Sequence, residues 1–95
     1  MGKRWQVEVE VKDILVSGKC PAGYKVGDVF VSRGGGPPDG LCWLAANAIS
    51  PIVTALAWGG NFPWHDRPGW ARACCPDADN PVIFEIRRGK ETEPK

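Results

Sequence analysis

Trp5-Gln6-Val7-Glu8-Val9-Glu10-Val11 alternates apolar and polar residues without a fault. Successive side chains of a strand point to opposite faces. This stretch therefore reads as a strand with Trp5, Val7, Val9 and Val11 on a dry face and Gln6, Glu8 and Glu10 on a wet one. A dry face needs neighbours and a cover. Val82-Ile83-Phe84-Glu85-Ile86-Arg87 supplies a second such strand, with Val82, Phe84 and Ile86 facing in. Val29-Phe30-Val31 and Trp70 to Cys75 read as two shorter strands between them.

The cover lies in the middle of the chain. From Leu41 the apolar residues Leu41, Leu44, Ala45, Ala48, Ile52, Ala55 and Leu56 recur at helical spacing and form one stripe. Asp39 is the expected N-cap, and Gly59-Gly60 the expected stop. Pro51 has no N–H to give and clashes with the preceding turn. It predicts a kink or a restart, with Ser50 as the new cap. The expected fold is α+β: a four-stranded, mainly antiparallel sheet in the order β-β-α-β-β, with one Pro-kinked helix packed on one face. The expected boundaries are one domain over residues 1–88 and a mobile polar tail over 89–95.

Charge narrows the function. Twelve Lys and Arg face eleven Asp and Glu across 95 residues, a net charge of +1. That balance gives no basic footprint for nucleic acid. No run is long and apolar enough to span a membrane, and the charged start lacks an apolar segment behind it, so a cytoplasmic protein is expected. The triple glycine Gly34-Gly35-Gly36 is followed by two prolines and lacks a phosphate-loop pattern.

The cysteines carry most of the chemistry. There are four: Cys20, Cys42, Cys74 and Cys75. In a reducing compartment they are free thiols or metal ligands more readily than disulfides. Cys42 falls at the start of the helix, where the dipole and free N–H groups favour a thiolate. Cys74 and Cys75 point to opposite faces, and if Ala71 and Ala73 face the helix, Cys75 shares the side of Cys42. A metal site of Cys20, Cys42 and Cys75, with Cys74 as a further candidate, would suit Zn²⁺, Cu⁺ or an iron–sulfur centre. The competing readings are buried packing thiols, or a small enzyme or tailoring protein using Cys42 or Cys75 as nucleophile or redox thiol.

Aromatic residues offer a third kind of site. Trp43, Phe62 and Trp64 are candidates for an aromatic-lined pocket for a small molecule, or for a partner surface, including one for a second copy of the chain. Trp5 and Trp58 read as core residues. His65, the single histidine, reads as a loop residue rather than a ligand.

Taken together, several segments resemble a known family. They are Cys20-Pro21-Ala22-Gly23-Tyr24-Lys25-Val26-Gly27-Asp28, Pro38-Asp39-Gly40-Leu41-Cys42, Gly59-Gly60-Asn61-Phe62-Pro63-Trp64, and Cys74-Cys75-Pro76-Asp77 before Pro81-Val82-Ile83-Phe84-Glu85-Ile86. The chain is similar, over about Val7 to Arg87, to an uncharacterised family of small cysteine-containing domains found singly or in tandem. The resemblance implies a shared cysteine site at Cys20, Cys42 and Cys75, with Cys74 often replaced and His65 without a counterpart. It implies no particular activity.

Overall fold

The computed structural model describes residues 4–16, 20, 22–33, 38 and 40–92. Four strands and one helix follow in the expected order: β1 (Arg4–Ile14), β2 (Val29–Ser32), α1 (Trp43–Ala57), β3 (Trp70–Cys74) and β4 (Val82–Thr92). The strands form one sheet in the order β2-β1-β4-β3, antiparallel at every pairing. The fold is α+β with one helix packed on the sheet.

The alternation in β1 sets the core. Val9 pairs with Phe30 on one side and Ile86 on the other, Val11 with Phe84, and Ala71 with Ile86. Val7, Val9, Val11, Val82, Phe84 and Ile86 are thereby sealed under the helix. Each large side chain removed from water in this way contributes roughly 1.5–3 kcal/mol. β1 runs past Val11 to Ile14, still paired with β4 across register shifts, one of them between Val11 and Asp13. That bulge exposes Lys12 and Asp13 and returns Ile14 to the core.

The opposite face is charged. Arg87 reaches Glu8 at 3.2 Å, Glu10 at 2.9 Å and Glu85 at 3.2 Å. Glu10 and Glu85 are directly opposed, an arrangement that like charges disfavour; Arg87 and Lys12 bridge them. The hydrogen bond from Arg87 holds the Glu10 carboxyl below its ordinary value.

The helix differs from its sequence-based description in three ways. It runs unbroken through Pro51 from Trp43 to Ala57, so the restart at Ser50 does not occur. Pro51 is exposed, and packing of the far face holds the helix together across the missing N–H. Its buried residues are Ala45, Ile49, Val53, Leu56 and Ala57, a stripe rotated from the expected one, which leaves Leu44 exposed. The N-cap is Cys42, not Asp39, which lies outside the described residues.

The helix does stop at the glycines. Gly59 N–H bonds to Leu56 O and Gly60 N–H to Ala55 O, the paired bonds of a Schellman turn. Gly59 has φ +91°, and a Cβ there would stand 3.0 Å from the Trp5 ring, so glycine is required twice over. Trp58 is not the core residue expected: as C-cap it sits just past the buried stripe, exposed, with the Arg4 guanidinium 5.4 Å from its ring.

The polar end of the chain is also reassigned. β4 continues to Thr92 and pairs with the start of β1, with Arg4 opposite Thr92 and Trp5 opposite Glu91. β4 thus runs four residues past the expected boundary at residue 88, carried by pairing with β1 despite its polarity. Residues 93–95 lie outside the described residues.

Candidate thiol site

Three cysteines far apart in sequence line one cleft beside the start of α1 and the end of β3. Cys20, Cys42 and Cys75 line a common cleft of about 110 Å³, together with Ala22, Leu44, Asp77 and Asn80. All four cysteines of the chain are free thiols.

Each cleft thiol is placed by a different local device. Cys20 precedes a proline, which biases it towards extended backbone. Its carbonyl accepts the Gly23 N–H at 2.9 Å, closing a tight turn in which Gly23 has φ +87°. Cys42 is the helix N-cap, with extended φ −70° and ψ 157°. Its carbonyl takes the Ala46 N–H at 2.9 Å, the first bond of the helix. No side chain caps this end, and the first turn holds no acidic residue. The positive end of the helix dipole is thus unmatched by a carboxylate.

Cys75 follows the last residue of β3. Its backbone N–H still bonds to Val82 O at 3.0 Å, and the residue is buried. Its Sγ accepts the Val82 N–H at 3.3 Å and donates to Asn80 O at 3.9 Å. These two bonds fix the position of the sulfur. Asp77, at the cleft wall, accepts the N–H groups of Asp79 and Asn80 through Oδ1, at 3.0 and 3.2 Å. Those bonds shape the loop that carries Asn80 back over Cys75.

Cys74 stands apart. It is exposed, lies outside the cleft lining, and its Sγ donates to Cys75 O at 3.2 Å. Desolvation of the sulfur, then the neighbouring Cys75, pushes its thiol above the ordinary value. The opposite-face argument for Cys74 and Cys75 agrees with this placement, since Ala71 is buried against the core.

Sequence reasoning overlooked Tyr24. Its hydroxyl donates to Gly40 O at 2.9 Å and accepts the Cys42 N–H. Burial pushes this hydroxyl up to about 12; the Cys42 thiol and the charge on Cys20 push the same way, against the Cys42 amide. It stays protonated at neutral pH. The useful signal was the C-P-x-G-x turn, which places an aromatic hydroxyl four residues after a cysteine; a spacing argument confined to sulfur passes over it.

The expected aromatic site is divided. Phe62 and Trp64 are in contact, ring centroids 5.0 Å apart, and His65 stands edge-on to Trp70 at 5.1 Å. Phe62 packs on the core, whereas Trp64 is 72% exposed. Trp43 is 86% exposed at the helix start and joins none of the described ring contacts. His65 is half-buried among rings and does not line the thiol cleft.

The cleft is open, not closed around a ligand position. Among the described residues, no group of three or more His, Cys, Asp or Glu side chains is gathered closely enough to hold a metal ion. Also among them, no helix is long and apolar enough to cross a membrane. No protein-family model matches the chain, and no curated protein or solved structure matches it.

Proposed function

We propose that this chain is a small cysteine-site domain, of the kind its motifs resemble, that binds one thiophilic metal ion through Cys20, Cys42 and Cys75 without catalysing a reaction. The observation that carries this reading is the lining of one cleft by those three cysteines. Thiolates suit Zn²⁺ and Cu⁺. Three cleft thiols with Cys74 outside favour a single ion over an iron–sulfur centre, which draws on four thiolates. Because the ligand set is open, binding would draw the thiols inward. Cys20 and Cys42 would close on the ion by side-chain rotation, while the Cys75 sulfur stays held by Val82 and Asn80. The thiols must ionise to bind, so uptake strengthens as pH rises and releases protons.

A second reading is supported by the helix terminus alone: Cys42, with neither a side-chain cap nor a first-turn acid beside it, acting as a reactive thiol in a small enzyme. One experiment separates the two. Protein freed of metal under reducing conditions is titrated with Zn²⁺ and with Cu⁺, and its thiols are counted before and after chelator. About one equivalent is expected, lost in Cys42→Ser and Cys75→Ser and kept in Cys74→Ser. No uptake of either ion would sink the metal reading, and a single fast-alkylating thiol at Cys42 would then establish the second.

A further inference from the structure

Cys20 and Cys42 share a cleft although 22 positions separate them in the sequence. The turn that carries Cys20 leads directly into Tyr24. The Tyr24 ring packs against Phe30 of β2, centroids 4.9 Å apart and tilted by 54°. From that seat its hydroxyl reaches 16 and 18 residues along the chain, to Gly40 O and to the Cys42 N–H. These two backbone groups flank Leu41, just before the helix begins. Gly40 has φ +84° and lies over the same Phe30 ring, which a Cβ would meet at 3.6 Å. One phenol therefore ties the Cys20 turn, the edge strand β2 and the Cys42 cap together.

We infer that Tyr24 is a positioning residue of the thiol cleft, its hydroxyl fixing the Cys42 cap against the Cys20 turn and so setting the spacing of those two thiols. The inference rests on the reading that the cleft thiols act together, and not on which ion they take. Cys75 is held independently, by the Val82 N–H, and lies outside the control of Tyr24. Phenylalanine keeps the ring but makes neither bond.

The test uses phenylarsine oxide, a trivalent arsenical that takes two thiols and releases its oxygen as water. Wild type, Tyr24→Phe and Phe30→Leu are each treated with it, and the thiols left free are alkylated and mapped by mass spectrometry. In wild type, Cys20 and Cys42 should be protected as a pair. Tyr24→Phe should weaken this bridging about tenfold, the scale on which groups that orient ligands usually act, with the alkylation rate of Cys75 unchanged. Phe30→Leu loosens the ring but keeps the hydroxyl, so it should lower stability and retain most of the bridging.

Equal bridging in Tyr24→Phe and wild type would overturn the inference, as would capture through any pair other than Cys20 and Cys42. Should Tyr24→Phe fail to fold, hydrogen exchange at the Cys42 amide of wild type decides: protection is expected, and free exchange overturns it. Wild type that takes no metal but bridges in a Tyr24-dependent way would remove the metal reading and leave the clamp standing. Metal uptake together with Tyr24-independent bridging would do the reverse.

Discussion

The thiol cleft and the aromatic loop are assembled in opposite ways. The cleft draws Cys20, Cys42 and Cys75 from a turn, a helix cap and a strand end. The loop takes Phe62, Trp64 and His65 from one short contiguous stretch and sets them against one another and against Trp70 at the start of β3. The cleft therefore exists only when helix and sheet are both in place, and its geometry inherits their rigidity. The loop needs only its two ends pinned. Asn61 Oδ1 accepts the Gly69 N–H at 2.7 Å across its mouth. Arg88 then holds the assembly, with Nη1 on Gly60 O at 2.8 Å and Leu56 O at 3.2 Å, and Nη2 on Asn61 at 2.8 Å. A site spread over the whole fold should resist local damage, and a locally closed loop should fail when Arg88, which makes most of the bonds that hold it, is removed.

Arg88→Ala attacks that difference with the largest expected effect. It removes charge-assisted bonds to two partly buried carbonyls at the helix end and to Asn61. Bonds to a charged group contribute about 1.5–3 kcal/mol each at most, and water replaces part of that at this half-buried side chain. A net loss of about 2–3 kcal/mol is expected, read from the urea unfolding midpoint. Alkylation of Cys42 and Cys75 in the remaining folded protein should be unchanged. If those thiols speed up together with the loss of stability, the cleft and the loop are one cooperative unit and the contrast fails.

Cys75→Ser and Cys74→Ser form the next pair. Cys75 is 7% exposed and belongs to the core cluster, so replacing sulfur by a smaller, more polar hydroxyl should cost about 1–2 kcal/mol. Cys74, exposed on the other face, should tolerate serine within about 0.5 kcal/mol. Thermal unfolding of the two variants side by side checks this. Equal costs would mean that burial does not separate the two neighbours, and the assignment of Cys75 alone to the cleft would lose its basis.

The same division explains what could be read from the residues beforehand. Val7, Val9 and Val11 in β1 and Val82, Phe84 and Ile86 in β4 announce themselves because a strand buried on one face alternates strictly. Reading β1 as ending at Val11 followed from the same rule, since the bulge near Lys12 breaks alternation while the strand continues to Ile14. The end of β4 was hidden because Gly89, Lys90, Glu91 and Thr92 are polar, and their order comes from pairing with β1, which no local pattern encodes. Ile49 and Val53 were missed in the helix because Pro51 invited a break between them, and tertiary packing overrode that preference. The shared side of Cys42 and Cys75 was legible from strand parity. Tyr24 was not, because its hydroxyl acts on backbone groups 16 and 18 residues away.

Trp64→Ala is the smallest expected effect and the finest test of the contrast. Trp64 is 72% exposed, so little apolar area is lost on truncation. Its contacts with Phe62 at 5.0 Å and His65 at 6.0 Å are ring–ring contacts, a kind that contributes about 0.5–1.5 kcal/mol when well packed. With most of the ring in water the lower end applies, and a loss of no more than about 0.5 kcal/mol is expected from chemical unfolding. A value above about 1.5 kcal/mol would exceed what such a contact supplies. The loop would then be a second packed core, held by its rings and not by Arg88. In that case the exposed face of Trp64 would have to be weighed as a cost the chain carries, and not as a by-product of a loop hung from one arginine.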